Sequence, residues 1–239
     1  MIAEFEDRCK DVREYYTLLE FLDSIATNKN KLLESESYEG NTISYQPKRE
    51  CQKILRANFY LLLYNLVEST TNLIITAFKD TINDEHVPME RLTTRIINLH
   101  IDGLFKDVTS PNRISTIGKD IYQNTIKKGF VMLDKLGFNT SGNVDYDYFQ
   151  KIVGNIGCRG KVDIDESRVK QAMGRTKDYR NKLAHGVRSF SDIGSNHTLS
   201  EIKDDYNSIE DFLRQSLYNF KYFLDDKRYL QPEECKQSI

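Results

Sequence analysis

The stretch Phe59-Tyr60-Leu61-Leu62-Leu63-Tyr64-Asn65-Leu66-Val67 decides the fold. Its apolar residues cover more than one face of a helix, the pattern of a helix packed between others rather than laid on a surface. Pro47 suits the first turn of that helix, and the pattern continues to about Lys79, so residues 47–79 are expected to form one long buried helix. Upstream, Phe5, Val12, Tyr16, Leu19, Leu22 and Ala26 recur at helical spacing, which predicts an amphipathic helix over residues 2–36 before Tyr38-Glu39-Gly40-Asn41-Thr42 breaks the pattern. Downstream, Pro88 opens a helix to about Ile101, and Ser110-Pro111-Asn112 separates it from another over residues 114–136, stopped by Gly137. Asn139-Thr140-Ser141-Gly142-Asn143 reads as a turn, residues 145–156 as a short helix ending at Gly157, and residues 166–185 as a helix ending at Gly186. Thr198-Leu199-Ser200-Glu201 is a capping box, and the stripe Ile202, Tyr206, Ile209, Leu213, Leu217, Phe220 and Leu224 carries the last helix.

The expectation is an all-α fold, a bundle of about six to eight helices with long antiparallel members, in a single domain. Residues 1–46 would be its N-terminal helix and loop, 47–230 its core and 231–239 a frayed tail. Composition agrees. Gly and Pro together make up about 7% of the chain, against the roughly 12% of average usage, and such a shortage of chain breakers disfavours a turn-rich sandwich. Twelve Phe and fourteen Tyr supply ample core material.

A net charge of −2 excludes a uniformly basic nucleic-acid coat, so any anion-binding surface must be local. The N-terminus carries acids where a signal peptide carries bases, and no apolar run reaches the ~20 residues of a membrane span. A cytoplasmic protein without a membrane partner is expected. Cys9, Cys51, Cys158 and Cys235 are far apart and form no C-x-x-C pair, so they read as reduced thiols. The chain has no G-x-x-x-x-G-K-[ST], no H-E-x-x-H and no acidic cluster with magnesium-ligand spacing, so neither cofactor nor metal is expected.

Of the four histidines, His86, His100 and His197 read as solvated or hydrogen-bonded side chains, whereas His185 sits at a helix end inside Arg180-Asn181-Lys182-Leu183-Ala184-His185-Gly186. Between Arg168 and Arg188 there are seven basic residues against the single acid Asp178. A polyanion is the natural ligand of that excess; the plainer alternative is that basic residues merely complement the helix dipole. Histidine can move a proton to or from an oxygen near neutral pH, and a guanidinium can stabilise a phosphorane, so the pair fits RNA cleavage. Five helical residues turn through 500°, which leaves Arg180 and His185 about 140° apart. A second copy across a two-fold axis would bring the missing group to the same cleft.

Arg180-Asn181-x-x-Ala184-His185-Gly186 resembles the R-x4–6-H motif of the HEPN superfamily, and further stretches resemble its MAE-like bacterial clade. These are Tyr64-Asn65-Leu66-Val67-Glu68-Ser69, Ser141-Gly142-Asn143-Val144-Asp145, and Leu183-Ala184-His185-Gly186 followed by Ser189-Phe190. The resemblance covers residues from about 59 to 223. It implies a helical bundle that dimerises, with two motifs at the interface forming one metal-independent endoribonuclease site. Arg180 and His185 would then be the catalytic pair and Asn181 their polar companion. Glu68 would either support the pair or form a structural salt bridge, to Arg180 itself, and Lys177, Lys182 and Arg188 would contact RNA phosphates. Two departures are Lys182 inside the motif and His197, where relatives often carry another residue. The resemblance implies toxin–antitoxin, restriction-linked or abortive-infection defence, with an RNA substrate and a cognate antitoxin or defence-system protein as partners. The alternative is a non-catalytic HEPN module that binds RNA, nucleotide or protein.

Overall fold

The computed structural model describes residues 1–27, 33–36, 42–106, 111–133, 136, 138 and 143–232. The expected break at 38–41, Ser110, the stop at Gly137, the turn over 139–142 and the tail from residue 233 lie outside the described residues.

The long apolar stretch forms α2, Arg49–Asp84, the axis of the molecule. Its buried residues, among them Phe59, Tyr60, Leu63, Leu66, Val67, Ile74 and Phe78, point in several directions because α1 (Ile2–Thr27), α6 (Glu166–Ala184), α7 (Phe190–Gly194) and α8 (Leu199–Asp225) all pack around it. Thr70 and Thr71 are buried in this helix, and each hydroxyl donates to the carbonyl four residues back, to Leu66 at 2.6 Å and to Val67 at 2.8 Å. α2 is long and apolar enough to cross a membrane by length and composition, but here it is the core helix of a bundle. α3 (Thr94–Phe105) lies against α5 (Tyr146–Ile156) and α4 (Pro111–Ile121), and α5 lies against α6. Eight α-helices among the described residues make an all-α bundle.

Helix identity follows the spacing. Phe5, Cys9, Val12, Tyr16 and Leu19 of α1 are buried, as are Ile202, Tyr206, Ile209, Leu213, Leu217 and Phe220 of α8, one stripe each. Thr198 and Glu201 form the expected capping box. Gly194 allows α7 to touch α2 backbone to backbone, since a Cβ there would lie 1.7 Å from the Lys53 carbonyl oxygen.

Several boundaries differ from expectation: Pro47 precedes the cap of α2 instead of standing in its first turn, α2 runs on to Asp84, and α4 begins at Pro111 within the expected separator. α1 stops at Thr27; Leu33–Glu36 forms β1 and pairs antiparallel with β2, Thr42–Tyr45, Leu33 opposite Tyr45 and Glu36 opposite Thr42. The stretch after Ala26 has few apolar residues to anchor a helix, and Thr42, Ile43 and Tyr45 favour an extended backbone. The helix expected over 114–136 ends after one π-helical turn, Tyr122–Ile126. Gly129, at φ 78°, turns the chain so that Val131 and Leu133 enter the core extended, donating to the Val87 carbonyl at 3.0 Å and the Asn83 side-chain oxygen at 2.7 Å. Pro88 opens only a 3₁₀ turn, Met89–Arg91, before α3 begins at Thr94. Gln231, expected to fray, is held by bonds from its amide and side chain to the carbonyls of Arg91 at 2.8 Å and Leu92 at 2.9 Å.

Candidate functional site

α6 carries the candidate motif. Asp165 caps its N-terminus by accepting from the Arg168 N–H at 3.1 Å. At the other end the Val187 N–H donates to the Lys182 carbonyl at 2.9 Å and the Gly186 N–H to the Leu183 carbonyl at 3.2 Å, with Gly186 at φ 65°. This is a Schellman ending, and it leaves His185 as the last half-helical residue, exposed. Among the described residues the His185 side chain makes no hydrogen bond or ion pair. Arg180 points the other way, its guanidinium carbon 5.1 Å from the centre of the Tyr64 ring on α2. The two candidate groups therefore diverge within one chain, as the 140° of an ideal helix requires.

Three stretches far apart in the chain meet around Arg180. Its guanidinium donates to the Asn181 side-chain oxygen at 3.1 Å, and the Asn181 amide reaches the Asn143 side-chain oxygen at 3.5 Å. The next residue, Val144, donates its N–H to the Tyr64 hydroxyl at 3.2 Å, and Asp145 pairs with Lys177 one helical turn before Arg180. Asp145 also caps α5 by accepting from the Tyr148 N–H at 2.9 Å. Segment 143–145 thus ties α5, α6 and α2 together beneath the guanidinium. Burial raises the Tyr64 phenol above its ordinary range, the Val144 bond and Arg180 oppose the rise, and the charge of Glu68 adds to it. Glu68 is therefore electrostatically part of this cluster. Tyr64 and Asn143 were not singled out as site residues by sequence reasoning; the stretches containing them carried the signal.

The basic excess of α6 looks different in three dimensions. Arg168 pairs with Asp204 at 3.0 Å, Lys170 with Asp147 at 2.7 Å, Arg175 with Asp205 at 2.6 Å, Lys177 with Asp145 and Lys182 with Asp178 at 2.6 Å. Four of these five acids come from other parts of the chain, which a count along α6 does not include. Of the expected phosphate contacts, Lys177 is committed to Asp145, while Lys182 and Arg188 line a cleft of about 270 Å³ with Tyr179, Asp192, Ile193, Ser195 and Asn196.

Behind the motif lies a polar network without a local sequence signal. Asp205, buried, accepts two bonds from Arg175 at 2.9 and 2.6 Å and one from the Tyr60 hydroxyl at 3.0 Å. Tyr179 hydrogen-bonds the His197 Nε2 at 2.7 Å. Burial, helped by nearby Arg175, holds the His197 imidazole below its ordinary range. His197 is thus a structural histidine. His86 packs its ring edge-on against Phe130, and His100 is buried in α3. Cys9, Cys51 and Cys158 are free thiols; Cys235 lies outside the described residues. Among the described residues no three His, Cys, Asp or Glu side chains gather into a set that could hold a metal ion.

The family model of MAE_28990-like HEPN matches residues 1–229, taking in α1 as well as the helices that carry the motif. No curated protein and no solved structure matches the chain.

Proposed function

We propose, because the chain belongs to the MAE_28990-like HEPN family, that it is a metal-independent endoribonuclease acting as a homodimer. The observation that supports this most is the division of labour on α6. Arg180 is half-buried and held over Tyr64 by a hydrogen-bonded companion, while His185, five residues on, is exposed and uncommitted at the helix end. A preorganised cation and a free imidazole are the two groups that cleavage through the RNA's own hydroxyl needs.

In this reading one His185 imidazole takes the 2′-hydroxyl proton, and the 2′-oxygen attacks the adjacent phosphorus. Arg180 stabilises the charge on the phosphorane, and Asn181 keeps the guanidinium oriented. The bond from phosphorus to the 5′-oxygen breaks, and that oxygen takes a proton from a second, protonated imidazole. A single chain offers one such histidine, so a two-fold partner supplies the other. Lys182 and Arg188 hold flanking phosphates, and Lys177 acts through Asp145 to fix segment 143–145. Glu68 supports the cluster through Tyr64. The biological setting is cytoplasmic defence of the toxin–antitoxin, restriction-linked or abortive-infection kind, with a cognate inhibitor or defence partner.

The test is mass spectrometry of a short RNA oligonucleotide after incubation with the purified chain and EDTA. Products with 2′,3′-cyclic phosphate or 3′-phosphate ends and 5′-hydroxyls are expected, and the DNA of the same sequence should remain intact. Products with 5′-phosphates, or activity only with added magnesium, would refute the mechanism. An RNA that is bound but never cut would point to a non-catalytic module.

A further inference from the structure

Alone of the six cations on α6, Arg180 forms no ion pair among the described residues; Arg168, Lys170, Arg175, Lys177 and Lys182 each meet a carboxylate. What holds Arg180 is uncharged: the Tyr64 ring, 5.1 Å from the guanidinium carbon, and the Asn181 side-chain oxygen at 3.1 Å. The Tyr64 phenol stays neutral, its ionisation opposed by burial and by the charge of Glu68. For an anionic substrate the difference matters. A carboxylate would orient the guanidinium and cancel its charge, whereas a ring face and an amide orient it and leave the charge whole. Asn181 takes one of the guanidinium donors, and the others remain for a phosphate.

Both uncharged partners are tied to segment 143–145. The Asn181 amide has two ways round. With its oxygen toward Arg180 it accepts a bond; turned over, it would set its own donors against those of the guanidinium. Asn143, whose side-chain oxygen accepts from the Asn181 amide nitrogen at 3.5 Å, selects the first. Asn143 is placed in turn by its neighbours, since the Val144 N–H donates to the Tyr64 hydroxyl at 3.2 Å and Asp145 pairs with Lys177. Tyr64, 3% exposed, therefore takes part twice, with its ring against Arg180 and its hydroxyl on Val144.

We infer that Tyr64 and Asn143 are positioning residues that present Arg180 to the scissile phosphate in an uncharged cradle, Tyr64 through its ring and Asn143 through Asn181. The inference rests on the ribonuclease reading for the reaction that Arg180 serves. Neither residue touches RNA in this role, so each acts on turnover rather than on binding. A group displaced by about 1 Å can lose on the order of 100-fold in rate. Loss of one orienting hydrogen bond corresponds to about two- to tenfold.

The experiment measures kcat and KM of the full chain on a short single-stranded RNA and, in the same variants, the NMR cross-peak of the Arg180 Nε–H, identified by its absence from Arg180→Ala. Tyr64→Leu removes ring and hydroxyl together. It should lower kcat at least twentyfold with KM within about threefold, and the cross-peak should move to the position of solvent-exposed arginines as the ring current is lost. Tyr64→Phe keeps the ring, so there the cross-peak should stay. Tyr64→Phe and Asn143→Ala, the second at an exposed position outside the core, should each lower kcat about two- to tenfold. Because the hydroxyl acts through Asn143, the double variant should lose no more than the weaker single one. A loss in Tyr64→Phe as large as in Tyr64→Leu, an unmoved cross-peak in Tyr64→Leu, wild-type kcat in Asn143→Ala, or multiplied losses in the double variant would overturn the inference. Should Tyr64→Leu fail to fold, Asn143→Ala and the double variant decide it. A wild-type chain that leaves RNA intact removes the ribonuclease reading, and the cross-peak, which needs no cleavage, still decides the cradle.

Discussion

Asp205→Ala tests how α6 is held in place. The carboxylate is 4% exposed and accepts three bonds, two from Arg175 and one from the fully buried Tyr60 hydroxyl. Removing it strands both donors. Breaking a fully buried ion pair by deleting one partner costs about 3–5 kcal/mol. The Arg175 side chain keeps 31% of its surface, so water recovers part of its bonding and the guanidinium share must be discounted. The stranded Tyr60 hydroxyl has no such relief and costs about 1–3 kcal/mol by itself. A net loss of about 3 kcal/mol follows. In a chain of 239 residues each kcal/mol lowers the melting temperature by about 2–4 °C, so the midpoint should fall by roughly 6–12 °C. Differential scanning calorimetry reads this directly. Tyr60→Phe, which leaves both Arg175 bonds intact, should cost about 1 kcal/mol, and the double variant should show a coupling of similar size between the two. An Asp205→Ala midpoint within 2 °C of wild type would mean that the network does not anchor α6 to α8.

Two predictions separate chemistry from stability. His185→Ala should abolish RNA cleavage while shifting stability by no more than about 0.5 kcal/mol, because the side chain is exposed. Arg180→Ala should abolish it as well and cost about 0.5–1 kcal/mol for the lost stacking on Tyr64; cleavage near the wild-type rate by either variant sinks the assignment. The third concerns pH. Since the folded state holds the His197 imidazole below the ordinary value of about 6.5, the unfolded chain binds its proton first as pH falls. The contribution is complete above the unfolded value and is lost as pH drops through it toward the folded one. Melting temperatures of wild type and His197→Gln should therefore differ by a constant amount above pH 7 and converge below pH 6; parallel curves throughout would contradict this.

The all-α class, the buried character of α2, the stripes of α1 and α8, the capping box at Thr198 and the stop at Gly186 are local matters, and each was legible in residue types a few positions apart. So was the motif on α6. What failed locally was a boundary wherever a long-range contact competed with helix propensity: Val131 and Leu133 leave the helix because Asn83, at the end of α2, and Val87, in the turn after it, offer acceptors. The β1–β2 hairpin is likewise a pairing between segments, not a property of either one.

The sequence by itself determined which residue types stand at the motif, because helical spacing and end signals act within a few residues. Only the tertiary structure decided their surroundings. It set Tyr64 under Arg180 from 116 positions away, bound Asn181 to Asn143, and paired five cations of α6 with acids, four of them from other elements. Charge interactions depend on distance in space, and a chain folded around α2 brings to one helix residues that no window along the sequence contains.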